Sequence, residues 1–247
     1  MDTDHKGFVA GLGFGGEGFG VALSGGLGGS DFALDQRADS ADVSSKYLAL
    51  HGSISPTGGI RASAGLSYAW HDLATARSIA APLAQVLTSR SDADTFQVFG
   101  EIGYEALVGT TAIAPFARLA HVSTDGETFA EQGGAAALTV AGAELETTFL
   151  SLGARAEFGS PGAGFKPYAS LAWNRAFGDR QAAATSSLTA GGPAFRVLGL
   201  SIPKDSAEVE AGFEYTAGAF GIGVGYTGIV AGNRTTHGAR VTARLTF

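Results

Sequence analysis

The chain has 247 residues, a formal net charge of −7, 38 glycines and no cysteine; 45% of it is hydrophobic and only 16% charged. Lysine and arginine are scattered, which argues against nucleic-acid binding, a task that needs a concentrated basic surface. Without cysteine no disulfide can staple the fold, so a hydrogen-bonded framework must hold it together.

The N-terminus, Met1-Asp-Thr-Asp-His-Lys6, is not a signal peptide, because no apolar core follows a basic start. Export would need a signal upstream of it. Residues 1–6 are expected to be a disordered or truncated tail, and 7–247 a single domain. No apolar run approaches the roughly 18 residues of a membrane helix. The pattern has period two instead, and predicts eleven strands at 7–14, 19–33, 43–54, 59–72, 94–107, 111–123, 145–158, 165–178, 207–217, 220–230 and 238–247.

The first two strands flank Gly15-Gly16-Glu17-Gly18. The glycines between Gly11 and Gly29 make no phosphate loop, since the Lys-Ser/Thr ending is missing and no helix follows. They let strands bend or clear space inside a barrel. From Ile60 to Trp70, Ile60, Ala62, Ala64, Leu66, Tyr68 and Trp70 share one face, and Arg61, Ser63, Gly65, Ser67 and Ala69 the other. In 149–158, Leu150, Leu152 and Ala154 oppose Ser151, Arg155 and Glu157; in 208–216, Val209, Ala211 and Phe213 oppose Glu208, Glu210 and Glu214. The apolar sets are expected to face outward and the charged sets inward.

Short connections (15–18, 55–58, 109–110, 159–164, 218–219) alternate with long ones (34–42, 73–93, 124–144, 179–206); 231–237 is brief. That is the plan of an antiparallel up-and-down meander with periplasmic turns and extracellular loops, which puts the C-terminus in the periplasm. The strands are longer than the usual five or six residues of globular sheets. Aromatics expected at the membrane interfaces are Tyr68, Trp70, Tyr104, Trp173 and Tyr215. A transmembrane all-β barrel is the reading. Single-chain bacterial barrels normally have an even strand count, so an upward strand ahead of Gly7 is expected, making twelve in the complete domain.

Several segments carry a family resemblance: Tyr68-Ala-Trp-His-Asp72, Gln97-Val-Phe-Gly-Glu-Ile-Gly-Tyr104, Pro115-Phe-Ala-Arg-Leu-Ala-His-Val122, Gly133-Gly-Ala-Ala-Ala-Leu138, Leu171-Ala-Trp-Asn-Arg-Ala-Phe-Gly178 and the run from His237 to Phe247. In order and spacing, over about residues 7–247, they resemble the C-terminal translocator β-domain of bacterial autotransporters. The resemblance implies a twelve-stranded outer-membrane barrel, a helix through its pore and a covalently linked N-terminal passenger. The first strand, the pore helix and the passenger have no counterpart in this sequence.

In the last strand Ala239, Val241, Ala243, Leu245 and Phe247 face one way. Val241, Ala243, Leu245 and the terminal Phe247 resemble the signal read by the barrel-assembly machinery, which would recognise an extended segment by strand addition. Twelve charged residues are assigned to the lumen: Arg61, Glu101, Glu105, Arg118, Arg155, Glu157, Lys166, Glu208, Glu210, Glu214, Arg240 and Arg244. They either hydrate and neutralise a wet interior or hold a threaded segment by ion pairs.

His71 beside Asp72 invites a catalytic reading, but adjacent strand residues point to opposite faces. A rim site of His71 with Asp92 or Asp94 stays geometrically open. No Gly-x-Ser-x-Gly segment and no spaced zinc ligands occur. The expected function is an outer-membrane translocator that anchors and helps secrete a passenger, without enzymatic activity or cofactor, in contact with lipid and the assembly machinery. The alternative is a stand-alone pore, and a barrel hydrolase ranks third.

Overall fold

The period-two pattern commits nearly the whole chain to extended backbone. The computed structural model describes residues 2–34, 39–56, 58–159, 164–232 and 234–246. In chain order the strands are β1 (Asp2–Gly16), β2 (Phe19–Leu34), β3 (Asp39–Ile54), β4 (Ile60–Ile79), β5 (Gln85–Tyr104), β6 (Ala106–Val108) and β7 (Thr111–Gly126). The short β8 (Phe129–Ala130) and β9 (Leu138–Val140) precede β10 (Glu144–Glu157) and β11 (Phe165–Gly178). Then come the short β12 (Ala183–Leu188) and β13 (Phe195–Leu198), followed by β14 (Asp205–Ala217), β15 (Phe220–Ala231) and β16 (Arg234–Leu245).

One antiparallel sheet takes the eleven long strands in the order β1-β2-β3-β4-β5-β7-β10-β11-β14-β15-β16, with β6 prolonging the line of β5 along β7. All eleven predicted strands are present, but several ends differ. Residues 2–6, expected as a tail, belong to β1 and pair with 29–33. The expected loop 73–93 is mostly strand, because β4 runs to Ile79 and β5 starts at Gln85. Beyond the apolar belt the outward side chains no longer need to be apolar, so the alternation fades while the hydrogen-bond ladder continues. β16 likewise begins at Arg234, not 238.

Three of the connections at the tight end of the meander are two-residue turns, as the pairs Gly16↔Phe19, Val108↔Thr111 and Ala217↔Phe220 require. Such turns need positive φ, which Gly18 supplies at +79°. At the other end β8, β9, β12 and β13 form a second sheet, in the order β13-β12-β9-β8.

The main sheet curls, since His51 of β3 and Ile229 of β15 line one cavity. Its first and last strands have one neighbour each, and among the described residues no pairing joins β1 to β16. The barrel is therefore unclosed. Its convex face is apolar: Leu12 is 75% exposed, Ile102 59%, Leu171 60% and Val241 72%. A soluble monomer rarely shows apolar patches beyond a few hundred Å², whereas this one crosses every long strand. On β4 it runs from Ile60 to Trp70. Ten residue steps span about 33 Å along the strand, or roughly 25 Å when tilted by about 40°, the height of an outer-membrane apolar band.

Two rows of aromatics bound this band. Phe14, Phe19, Tyr104, Phe165, Tyr215 and Phe220 lie toward the tight turns, and Tyr68, Trp70, Phe96, Trp173 and Tyr226 toward the loops. Above the second row the outward side chains turn polar: Lys46, Asp72, Asp94, Asp125 and Asp205.

On the concave face, aromatic rings lie across neighbouring glycines. A Cβ at Gly65 would stand 2.6 Å from Cε1 of Phe99, and one at Gly153 2.7 Å from Cζ of Phe116 and 2.5 Å from the Leu171 carbonyl oxygen. These positions are glycine because the ring occupies the place of a side chain. Gly65→Ala should lower stability by about 1–3 kcal/mol, as overpacking does, read as an earlier unfolding midpoint in a urea titration of the detergent-folded chain. Adding Phe99→Leu should recover part of the loss; no recovery would mean that the ring is not what excludes a side chain at 65.

Candidate functional site

Because antiparallel partners share a face, the register assigns every side chain in the sheet to one side. The concave face takes odd residues from β1, β3, β4, β5, β10 and β15 and even ones from β2, β7, β11, β14 and β16. By that count Arg61, Glu101, Arg118, Arg155, Glu157, Lys166, Glu208, Glu210, Glu214, Arg240 and Arg244 all stand on it. Glu105, in the break between β5 and β6, ion-pairs with Arg61 at 2.5 Å.

The centre of the face is a shared carboxylate. Glu101 Oε1 accepts from Arg155 Nη1 at 2.6 Å, and Oε2 from Arg155 Nη2 at 3.0 Å. The same Oε2 accepts from Arg118 Nε at 2.8 Å and lies 2.7 Å from Arg118 Nη2. Both guanidiniums also sit at Phe116, with Cζ 4.1 Å (Arg155) and 5.6 Å (Arg118) from its ring centroid. β5, β7 and β10 deliver these groups because Glu101 is directly opposite Arg118, and Arg118 directly opposite Ser151.

Elsewhere Glu210 meets Arg240 at 3.3 Å, and Glu208 accepts from Asn174 Nδ2 at 3.2 Å. Lys166 stands opposite Glu214 in register. Among the described residues no ion pair is formed by Glu157, Lys166, Glu214 or Arg244. The cavity along this face has a volume of about 740 Å³. Glu101, Arg118, Arg155 and Glu208 line it together with apolar Phe149, Val122 and Ile229, and Ile202 and Pro203 reach it from the segment after β13.

His71 lies on the concave face, where Nδ1 is 2.7 Å from Ser45 Oγ and Nε2 3.0 Å from Thr95 Oγ1. Asp72, opposite Asp92, faces outward and lies 3.9 Å from Lys46 Nζ. Asp94, opposite Trp70, also faces outward. The rim site of His71 with Asp92 or Asp94 is thus ruled out by parity: the base and both acids are on opposite sides of the sheet.

The expected interfacial residues Tyr68, Trp70, Tyr104, Trp173 and Tyr215 are on the convex face, at the ends of the band. Val241, Ala243 and Leu245 also point outward, on a strand with one neighbour. Phe247 lies outside the described residues.

Sequence reasoning missed the loop sheet. It is tied to the barrel where Thr88 and Gln132 exchange backbone hydrogen bonds of 2.9 and 2.8 Å. Arg77 adds a bidentate pair, Nε to Glu131 Oε1 at 2.9 Å and Nη2 to Oε2 at 2.5 Å. Glu131 Oε2 also accepts from the Leu138 amide at 3.0 Å. Leu87 is fully buried beside this joint. Short β-forming runs, Thr139-Val140 and Thr185-Ser-Ser-Leu188, were the available signal.

The sequence matches the model of a protein family described as autotransporter β-domain, over residues 1–227. The chain belongs to the autotransporter β-domain family. This β-domain is an outer-membrane secretion fold, a translocator for a passenger. It is similar to two Serratia marcescens proteins named extracellular serine protease, each 28% identical over 194 residues, which is 77% of the β-domain and 18% of the relative. Its fold is that of the translocator domain of the autotransporter NalP from Neisseria meningitidis, with a TM-score of 0.76 at 16% identity, covering 99% of this chain and 82% of that one. The β domain of the Bordetella autotransporter BrkA gives 0.67 at 18% identity, covering 99% and 91%.

Burial pushes the Glu131 carboxyl upward, but the hydrogen bonds from Arg77 and the Leu138 amide outweigh it and hold it below the usual carboxylate range. A carboxyl depressed on folding stabilises the joint above its unfolded pKa and stops doing so as pH falls through the folded one. Relative to the intrinsic exchange rate at each pH, the protection of the Leu138 and Thr88 amides should accordingly hold as pH falls to the ordinary carboxylate range and be lost below it. Glu131→Gln should weaken the joint by about 1–3 kcal/mol at neutral pH and abolish the acid dependence. Acid-dependent exchange persisting in Glu131→Gln would assign it to another group.

Proposed function

We propose that this β-domain lies in the outer membrane with its tight turns and C-terminus in the periplasm and its loop sheet outside, where it anchors an N-terminal passenger and helps carry it across. The observation that supports this most is the contrast between faces. Every long strand offers lipid an apolar row, while the inward face carries the charged and polar groups of the belt or glycines, as a domain that shelters a polypeptide in hydrocarbon requires. The twelve charged residues assigned to the lumen from the sequence are then part of its lining. Tyr68, Trp70 and Trp173 serve the outer interface, Tyr104 and Tyr215 the periplasmic one.

The domain uses no cofactor and catalyses no reaction in this reading. The hydrogen-bond partners of His71 are hydroxyls, and the nearby carboxylates point away from it. The protease named among the relatives is matched over 18% of its length, so its activity is not carried over. Energy for transfer comes from passenger folding outside. The partners are membrane lipid, the passenger, and the barrel-assembly machinery, which pairs with the β16 edge and reads Val241, Ala243, Leu245 and Phe247 by strand addition.

A reporter domain fused ahead of the chain, behind a signal peptide, should become accessible to protease on intact cells. A reporter held in the periplasm beside a folded, membrane-inserted domain would refute the translocator role. Deleting Phe247 should reduce outer-membrane levels sharply, yet change stability in pure detergent only by about 1–3 kcal/mol, the value of one apolar side chain. Thr246→Ala, on the inward side, should be nearly silent. Equal membrane levels with and without Phe247 would make it an anchor only.

A further inference from the structure

We infer that Arg118 and Arg155 form a binding site for one carboxylate carried by the polypeptide segment that occupies the concave cavity; this rests on the translocator reading. Two guanidiniums share a single carboxylate, Glu101, so the cluster carries one uncompensated positive charge. Glu208 and Glu210 act on Arg155 through space, without an ion pair to it. The groups lining the cavity are three guanidiniums (Arg118, Arg155, Arg234) and two carboxylates (Glu101, Glu208), an excess of one positive charge with histidine neutral. Glu105 and Glu210, the other paired acids of this face, are taken by Arg61 and Arg240.

Accessibility points the same way. The Glu101 side chain is 13% exposed, whereas Arg118 and Arg155 are 33% and 38% exposed. The acid lies beneath and the two bases open into the cavity. Each guanidinium has five N–H donors in a rigid fork. Arg118 turns Nε and Nη2 to Glu101, and Arg155 turns Nη1 and Nη2. Among the described residues Arg118 Nη1 and Arg155 Nε donate to no one. Phe116 fixes both planes from below.

A carboxylate entering the cavity can therefore take charge-assisted hydrogen bonds from two preset guanidiniums without displacing Glu101. The apolar lining at Phe149, Val122 and Ile229 favours an occupant that places apolar side chains beside the acid. An acidic residue on a threaded segment would be arrested at this level, which sets the register between segment and barrel.

The test uses the full detergent-folded chain and three labelled peptides of alanine, leucine and serine that differ at one central position, Glu, Gln or Lys. By fluorescence anisotropy at low salt, the Glu peptide should bind at least about tenfold more tightly than the Gln peptide, as charge-assisted pairs allow, and the gap should shrink as salt rises. Arg118→Gln leaves one base on one acid and should remove the preference. Glu101→Gln frees the second guanidinium and should enlarge it. Circular dichroism of each variant establishes that it is folded.

Equal binding of the Glu and Gln peptides, or tighter binding of the Lys peptide, would overturn the assignment. The surface-display assay keeps the two readings apart. A reporter displayed normally while the Glu preference is absent removes the carboxylate site alone; loss of display by the unmodified chain removes the translocator reading beneath it.

Discussion

In hydrocarbon no water is available to a backbone amide, and the structure depends on that constraint. Each unsatisfied N–H or C=O there costs several kcal/mol, so a chain without long apolar helices can cross only as paired strands. The ladders from β1 to β16 meet this requirement at every internal strand, with a register that stays constant along each pair. Constant register fixes the rest. Once one residue faces lipid, every second residue along its strand, and every residue opposite it, faces lipid too. A single-residue slip anywhere would turn Arg118 or Glu210 into the membrane.

The two faces then obey different rules. The convex one needs only apolar surface and tolerates many side chains, with aromatics favoured where hydrocarbon gives way to headgroups. The concave one must pack within a curve. There, bulky rings stand over glycines, and arginines stand over rings: Phe116 covers Gly153 on one side and supports Arg155 on another. Part of the charge on this face is held in cross-strand pairs, so that its solvation is supplied partly by the wall. Only where the strands rise above the apolar band do both faces become polar, and there the loop sheet begins.

This division explains what the sequence made legible. Period two identified the eleven strands and their faces because one face meets a uniform solvent, lipid, that permits little but apolar residues. Leu150, Leu152 and Ala154 against Ser151 and Arg155 could be read without coordinates. The signal ended where lipid ended. At Ala74, Ala76 and Ser78 the outward positions lost their chemical demand, and strand was mistaken for loop. Asp2 to Lys6 were misread for the same reason, being polar on a segment still paired to β2. The sharing of Glu101 by two arginines depended on strand pairing between β5, β7 and β10, and no local pattern encodes such a contact. The Arg77–Glu131 joint spans 54 residues and was equally hidden.

One tension remains inside the ladder itself. The constraint that pairs every internal strand also penalises β1 and β16, each with a single neighbour. Natural sheets usually blunt such edges with charge, proline or bulges, but outward-facing β16 carries Ala239, Val241, Ala243 and Leu245 in an unbroken apolar row. Its charges, Arg234, Arg240 and Arg244, are on the inner face, where they leave the edge open to another strand. An edge so unguarded suits a segment whose free hydrogen-bonding groups are meant to be paired by something else. Strand addition by an assembly machine and closure against a further strand both use that same row of amides and carbonyls, so they exclude one another in time. If an assembly machine reads this edge as proposed, its release would have to coincide with the edge being paired in another way.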